Sequence, residues 1–432
     1  MSTLERKLGH LKIHLNDIKL ATNNFPETYE IASVDEECSL YRAELHCFDK
    51  ENPSSEKGMN KGDHPKGHNI VVIKRYPPSG SKCFGEEEFF TEIEMLSSVE
   101  HPNIVTLIGF CIEDSEMILV IENVSNGYLQ DYLGNDNDMR ILTWEKRLNI
   151  CIEVANALEH LHSEIEDQKM IIHRDICSCN IGLDENWRAK IDGFGDCVFL
   201  PPNQEDEAVY INPRGRPAYI DPEYEKTDKL KRESDVYSFG IFLLEILCGR
   251  IAFDPIYLKE SDKGLGPVAR QSFCTGTLED MIDPILMEET SEYNFVLKRG
   301  PNKESLHTFM NIAYQCVAET QDQRPTIKVV VKELEKALSF QLNSKVKSDY
   351  VEKSHASIIE TQVVEISNEP NSMKMIGKSE NFEIHNNENM LRDQTDDPAK
   401  PEPDCCFNQI TCIWALGLSG LFVILIITSL WA

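Results

Sequence analysis

The chain has 432 residues, 41% of them hydrophobic, enough to bury a large core and leave segments over. Its formal charge is -30, from 43 basic and 73 acidic residues, which excludes a general nucleic-acid binder, since that needs a basic face to displace phosphate counterions. The 14 cysteines follow no regular framework. No charged start followed by an apolar run opens the sequence, and Ser2 stands where N-myristoylation requires glycine, so the thiols are expected to be reduced and cytosolic.

In chain order, residues 1–20 read as a short lead and residues 21–340 as one continuous globular pattern. The first hundred residues are strand-rich: "IVVIKRY" is a β-branched run, and Asp49 to Asn69 is a polar insertion between two strands. "GEEEFFTEIEMLSSV" carries Phe89, Ile93 and Leu96 at helical spacing. From Leu142 onward helical patterns dominate, as in "WEKRLNICIEVANALEHLH" and "SDVYSFGIFLLEILCG". The expected result is α+β: a small β-rich lobe, residues 21–122, and a larger helical lobe, residues 123–340. Residues 341–404 are polar and acidic and read as a disordered linker; residues 405–432 form an apolar tail.

The segments "VVIK", "TEIEML", "HRDICSCN", "GFG", "DPEY", "SDVYSFG" and "RP" occur in that order. Together they resemble the signature series of protein kinases, over roughly three quarters of the chain. "LATNNF" and "DPEYEKTDKLKRESDVYSFGIFLLEILCGR" resemble plant receptor-like kinases, in particular the FERONIA-like branch and the receptor-like cytoplasmic kinases. The resemblance implies a two-lobed protein-kinase fold. It makes Lys74 the phosphate-holding lysine, Glu92 its partner, Asp175 the proton acceptor and Asn180 a metal ligand, the only one retained if metal binds at all. It also makes Ile121 the gatekeeper, Glu122 to Val124 the hinge and Val72 the residue above the adenine ring. His173 is expected to pack behind the loop, Glu223 to pair with Arg324, and Asp235 to brace the loop backbone.

Several places depart from that series. Gly193 stands where an aspartate should hold Mg²⁺, and Asp192 comes one residue early; neighbours in an extended segment point to opposite sides, so Asp192 is expected to face away from the site. Cys177 replaces the phosphate-steadying lysine, and with Cys179 forms a CxC pair too sparse for a metal site. Ser33, Asp35 and Cys38 align with the three glycines of the phosphate loop. Asp35, Glu36 and Glu37 would oppose a triphosphate, like charges at 4 Å repelling by roughly 1 kcal/mol in water and about 4 near a protein surface. Gly182 should leave a hole below the adenine. Arg216 replaces the usual threonine of the activation segment, and Asp196 to Ile220 contains neither Ser nor Thr; Glu205 to Glu207 form an acidic turn. The pattern implies a pseudokinase acting as a membrane-held signalling scaffold or allosteric partner of active receptor-like kinases or other signalling proteins. The alternative is a weak serine/threonine kinase using ATP with Mg²⁺.

Residues 410–431 contain no charge. At 1.5 Å per residue, roughly 22 residues span about 33 Å, a bilayer core. Trp414 and Trp431 lie near its ends, and Cys405 and Cys406 are palmitoylation candidates beside unmodified thiols as the equal alternative. The expected topology is a C-terminal single-pass anchor in endoplasmic reticulum or plasma membrane, with the kinase-like domain cytosolic.

Overall fold

The computed structural model describes residues 8–26, 30–34, 38–45, 70–76, 85–134, 139–163, 170–200, 208–287 and 300–343. These all belong to one compact unit. The phosphate-loop position Asp35, the acidic turn 205–207, linker residues 344–404 and the apolar tail with Cys405 and Cys406 lie outside the described residues, while residues 341–343, read as the start of the linker, continue the last helix. Among the described residues no helix is long and apolar enough to cross a membrane.

The N-lobe is a five-stranded antiparallel sheet of β1 (Glu30–Val34), β2 (Cys38–Glu44), β3 (Ile70–Tyr76), β4 (Leu107–Glu113) and β5 (Glu116–Glu122), in the order β1-β2-β3-β5-β4. Alternation along β3 sends Val71 and Ile73 to one face and Val72 and Lys74 to the other. Both faces are covered, which explains the unbroken apolar run. The first is covered by helix α1 (Leu15–Ala21) and the turn before it: Ile13, Leu15 and Ile18 pack with Tyr41, Val71, Ile73 and Val120. The backbone is tied in as well, Ile13 N–H donating to Phe110 O at 2.8 Å and Leu15 N–H to the Glu113 carboxylate at 3.1 Å. The stretch read as a lead is therefore part of the lobe from Leu8 onward. The apolar spacing Leu11, Ile13, Leu15, Ile18 carried that signal, but four apolar positions next to no recognisable motif gave it no partner. Ile18→Ala should cost about 2–4 kcal/mol in urea unfolding, the usual range for a fully buried residue; a change below about 0.5 kcal/mol would return the segment to a loose lead.

The other face meets helix α2 (Glu86–Leu96). Three glutamates in its first turn oppose the positive end of the helix dipole, and Glu88 closes back on Gly85 N–H at 2.9 Å. Phe89, Glu92, Ile93 and Leu96 form the buried face. In the helical lobe α3 (Trp144–Leu161) is capped by Thr143, and α5 (Arg232–Cys248), which follows the short α4 (Pro222–Thr227), is buried from Ser234 to its end. Around α5 lie α6 (Leu265–Thr275), α7 (Lys303–Cys316) and a last helix over residues 327–343, whose Val330, Leu334 and Ala337 enter the core. Two short hairpin pairs, β6 (Met170–Ile172) with β9 (Val198–Leu200) and β7 (Ile181–Leu183) with β8 (Ala189–Ile191), hold the loops between the lobes.

Candidate active site

Lys74 sits on β3 with only 5% of its surface exposed, and its ammonium lies 2.6 Å from Glu92 on α2. It also lies 3.0 Å from Asp192. The Tyr76 hydroxyl donates to the second oxygen of Glu92, and the Tyr128 hydroxyl donates to Asp192 Oδ2 at 2.7 Å. One ammonium thus serves two buried carboxylates. Burial works against the Lys74 ammonium, yet Asp192 and Glu92 outweigh it and raise its pKa above the ordinary lysine range. Burial would raise Asp192, but the Lys74 charge and the Tyr128 hydroxyl hold it below the ordinary carboxylate range. Glu92 is raised: burial leads, Lys74 opposes it, and the like charge of Asp192 adds to it.

The placement of Asp192 overturns the expectation that it faces away. Gly193 has φ +79°, a left-handed conformation that breaks the extended alternation, and its N–H donates to Asp192 Oδ1 at 2.8 Å. Asp192 N–H in turn donates to Asn180 O at 2.8 Å. Phe194 is fully buried against His173, with ring centroids 4.5 Å apart. Burial pushes the His173 imidazole pKa down, so the ring is neutral. Asp175 N–H donates to its Nδ1 at 3.2 Å, which places the proton on Nε2, 3.1 Å from Asp192 O.

Asp175 is engaged through one oxygen, while its Oδ1 is buried with no hydrogen-bond partner among the described residues. Its Oδ2 is held by the Arg216 guanidinium in a salt bridge and by Asn180 Nδ2 at 2.7 Å. Arg216 also lies 3.5 Å from Cys177 Sγ. Cys177 and Cys179 are joined in a disulfide across Ser178, with Cα atoms 5.4 Å apart, where reduced thiols were expected. Arg174 is spent on Asp196 O, Asn212 O and the Tyr224 hydroxyl, at 3.0, 3.1 and 2.8 Å. Ser33 sits on β1 opposite Ser39, and Cys38 opens β2 and borders the cleft.

The nucleotide slot is also altered. Val72, Ile121 and Val124 are fully buried and take no part in lining the open cleft, which runs past Lys74, Tyr128, Asp175, Asn180, Asp192 and Arg216. No hole lies below: a Cβ on Gly182 would stand 2.4 Å from Val124 Cγ1, so the hinge side chain fills the space that the glycine vacates. Glu122 is engaged with Lys190 at 2.9 Å and with Thr106 N–H at 2.8 Å. Tyr128, four residues past the hinge valine, pairs with Gly182 and reaches Asp192 with its hydroxyl. A chain Tyr128–Asp192–Lys74 therefore crosses the line from hinge to lysine. Sequence reasoning passed over Tyr128, because "SNGYLQ" reads as a polar turn.

Below the cleft, Asp235 accepts His173 N–H and Arg174 N–H, both at 2.8 Å, and His162 Nε2 lies 2.8 Å away. Burial would raise Asp235, but His162 outweighs it and holds the carboxyl low. Arg324 pairs with Asp221 at 2.6 Å and not with Glu223. Asp221 caps α4 and collects Ser234 and Gln321 as well, so its carboxylate is already aimed inward; Glu223, one turn on, accepts Gln321 N–H at 2.7 Å. Glu245 on α5 accepts the Tyr219 hydroxyl at 2.5 Å and Ala252 N–H at 2.7 Å. Burial pushes its carboxyl up to about 7. An acid raised in this way lowers stability as pH rises from its unfolded value toward 7, by roughly 3 kcal/mol for such a shift. Glu245→Gln should flatten that dependence in thermal unfolding and melt above the wild type at pH 8; an unchanged slope between pH 5 and 8 would refute the assignment.

The fold and the ordered motifs define a protein kinase domain, and the model of the protein tyrosine and serine/threonine kinase family matches residues 55–334. The chain belongs to that family. Among its relatives in Arabidopsis thaliana are the receptor-like protein kinases ANXUR2, 36% identical over 76% of this chain and 34% of the relative, and ANXUR1, 39% over 64% and 30%. HERK 1, another receptor-like protein kinase of that plant, is 35% identical over 77% of this chain and 35% of its own length. The chain spans about a third of the length of the curated relatives it matches.

A kinase of this family, when active, uses Mg²⁺ and ATP. The residues here do not fit that pair. Gly193 offers no metal ligand, and both oxygens of Asp192 are already engaged, by Lys74 and by Tyr128.

Proposed function

We propose that this protein is a pseudokinase of the plant receptor-like class, acting as a membrane-held signalling scaffold or allosteric partner. The observation that carries this reading is the Tyr128–Asp192–Lys74 chain across the nucleotide slot. It satisfies Lys74 and Glu92 in the paired arrangement without a nucleotide. Arg214 adds a second tie, reaching Glu88 of α2 at 2.8 Å and Asp196 of the activation segment at 3.1 Å. Helix α2 and the activation segment are thus fixed to each other by ion pairs where a signalling kinase would use phosphate. A lobe held in one arrangement is a surface suited to docking an active receptor-like kinase. The kinase-like domain runs over residues 8–343. Residues 344–404 link that domain to the uncharged segment 410–431, which holds the protein in endoplasmic reticulum or plasma membrane with the domain in the cytosol.

The test is transfer of labelled phosphate by the full chain to itself and to a generic substrate, in Mg²⁺ and in Mn²⁺, with Asp175→Asn as control. We expect no activity above that control, and no rise in melting temperature with millimolar Mg·ATP. Activity or a clear shift would overturn the reading. Carbonate extraction of membranes should leave the full chain in the pellet and a chain ending at Asp404 in the supernatant.

One observation favours the second reading, a weak serine/threonine kinase. Asp192 reaches the cleft between Lys74 and Asn180 and stands close to where the displaced metal ligand would be needed. In that case Tyr128→Phe, which frees one oxygen of Asp192, should raise phosphate transfer; no change at all counts against it.

A further inference from the structure

The catalytic loop carries a feature that a scaffold does not need. Cys177 and Cys179 flank Ser178 between Asp175 and Asn180, with Cα atoms 5.4 Å apart, inside the span that a disulfide requires. Their surroundings differ. Cys177 is fully buried, and its sulfur lies 3.5 Å from the Arg216 guanidinium. Cys179 is only half-buried and lines the cleft. The other described cysteines remain single thiols, and of these Cys274 is exposed while Cys111, Cys151, Cys197, Cys248 and Cys316 are buried.

We propose that Cys177 and Cys179 form an oxidation-reactive dithiol, a modification site for small two-electron oxidants such as hydrogen peroxide. The open side of the pair is Cys179, so the oxidant reaches that sulfur through the cleft. The Cys179 thiol is converted to a sulfenic acid, and the peroxide oxygen–oxygen bond breaks with release of one water. Cys177, its sulfur 3.5 Å from the Arg216 guanidinium, then attacks the sulfenic sulfur and displaces a second water. Two thiols and one hydrogen peroxide give one disulfide and two waters. A thiol reductant restores the pair by exchange through Cys179, which stays accessible. The closed form ties the residue before the Ser178–Asn180 turn to the turn's middle residue, beside the Arg216–Asp175 salt bridge. The oxidation state of the cell is thereby written into the loop that faces the cleft.

The test uses the full chain, reduced and then exposed to graded hydrogen peroxide, blocked with N-ethylmaleimide and digested. Cys274, as the exposed reference thiol, reports general oxidation. We expect the peptide containing Asp175 to Asn180 to lose both labels and two hydrogen atoms while Cys274 is still fully labelled. In Cys177→Ser the second step is removed, so dimedone should capture a sulfenic acid at Cys179 that the wild type does not accumulate. Arg216→Met, which removes the cation 3.5 Å from the Cys177 sulfur, should slow closure measurably. The proposal fails if Cys177 and Cys179 keep their labels at peroxide levels that oxidise Cys274. It fails equally if either cysteine goes to sulfinic acid without an intervening disulfide.

Discussion

Gly193→Asp, the substitution that rebuilds the expected metal-binding tripeptide, should return no phosphate transfer and should destabilise the protein by about 3–5 kcal/mol. Three causes act together. Residue 193 has φ +79°, where a side chain costs about 1–2 kcal/mol. A Cβ there would stand 2.6 Å from Asn180 Cγ and 2.7 Å from its Oδ1 and Nδ2, and Asn180 is itself anchored to Asp175. The new carboxylate would also join Glu88, Glu92, Asp175, Asp192 and Asp196 in a cleft whose lining residues include two cations, Lys74 and Arg216. Gly193→Ala separates these effects, since it carries the strain and the clash without the charge, and should cost less than the aspartate variant. Phosphate transfer by Gly193→Asp above the Asp175→Asn background, or wild-type stability in urea, would show that the site is one residue from function.

Much of this was legible in the sequence, for reasons that can be named. The order of the motifs carries the lobes and brings Lys74 to Glu92, because each motif marks a backbone position in one shared fold. Side-chain direction was less legible. The alternation that sent Asp192 away from the cleft holds for regular extended chain, and a glycine with positive φ interrupts it. The sequence shows that Gly182 lacks a side chain but not that Val124 moves into the space. The same limit applies to Asp221 and Glu223, two acids flanking Pro222: only the capping geometry of α4 decides which one reaches Arg324. Tyr128 and the lead before residue 21 were missed because each acts through a distant partner, Asp192 in one case and the outer face of β3 in the other.

Lys74→Met should destabilise the protein by about 3–5 kcal/mol at neutral pH, the range for removing one partner from a buried ion pair. In a kinase whose lysine waits for phosphate, this substitution mainly abolishes chemistry. Here Lys74 separates Glu92 and Asp192, which are 1% and 3% exposed, and its loss leaves Glu92 with the Tyr76 hydroxyl and Asp192 with the Tyr128 hydroxyl and the Gly193 N–H. The pH dependence contributed by Asp192 should change sign as well. In the wild type Asp192 titrates below its unfolded value, so its contribution is present above that value and is lost as pH falls through the folded one. Without the ammonium, burial and mutual repulsion raise both carboxyls, and the variant should lose stability as pH rises from about 5 toward 7. Its deficit against the wild type should therefore be largest at pH 7 and shrink toward pH 5. Adding Asp192→Asn should recover part of the loss by removing one charge while leaving the Tyr128 hydroxyl an acceptor. Urea unfolding of the three proteins at pH 5 and pH 7 decides the matter. A Lys74→Met protein within about 0.5 kcal/mol of wild type at pH 7 would mean that the triad does not hold the lobes together.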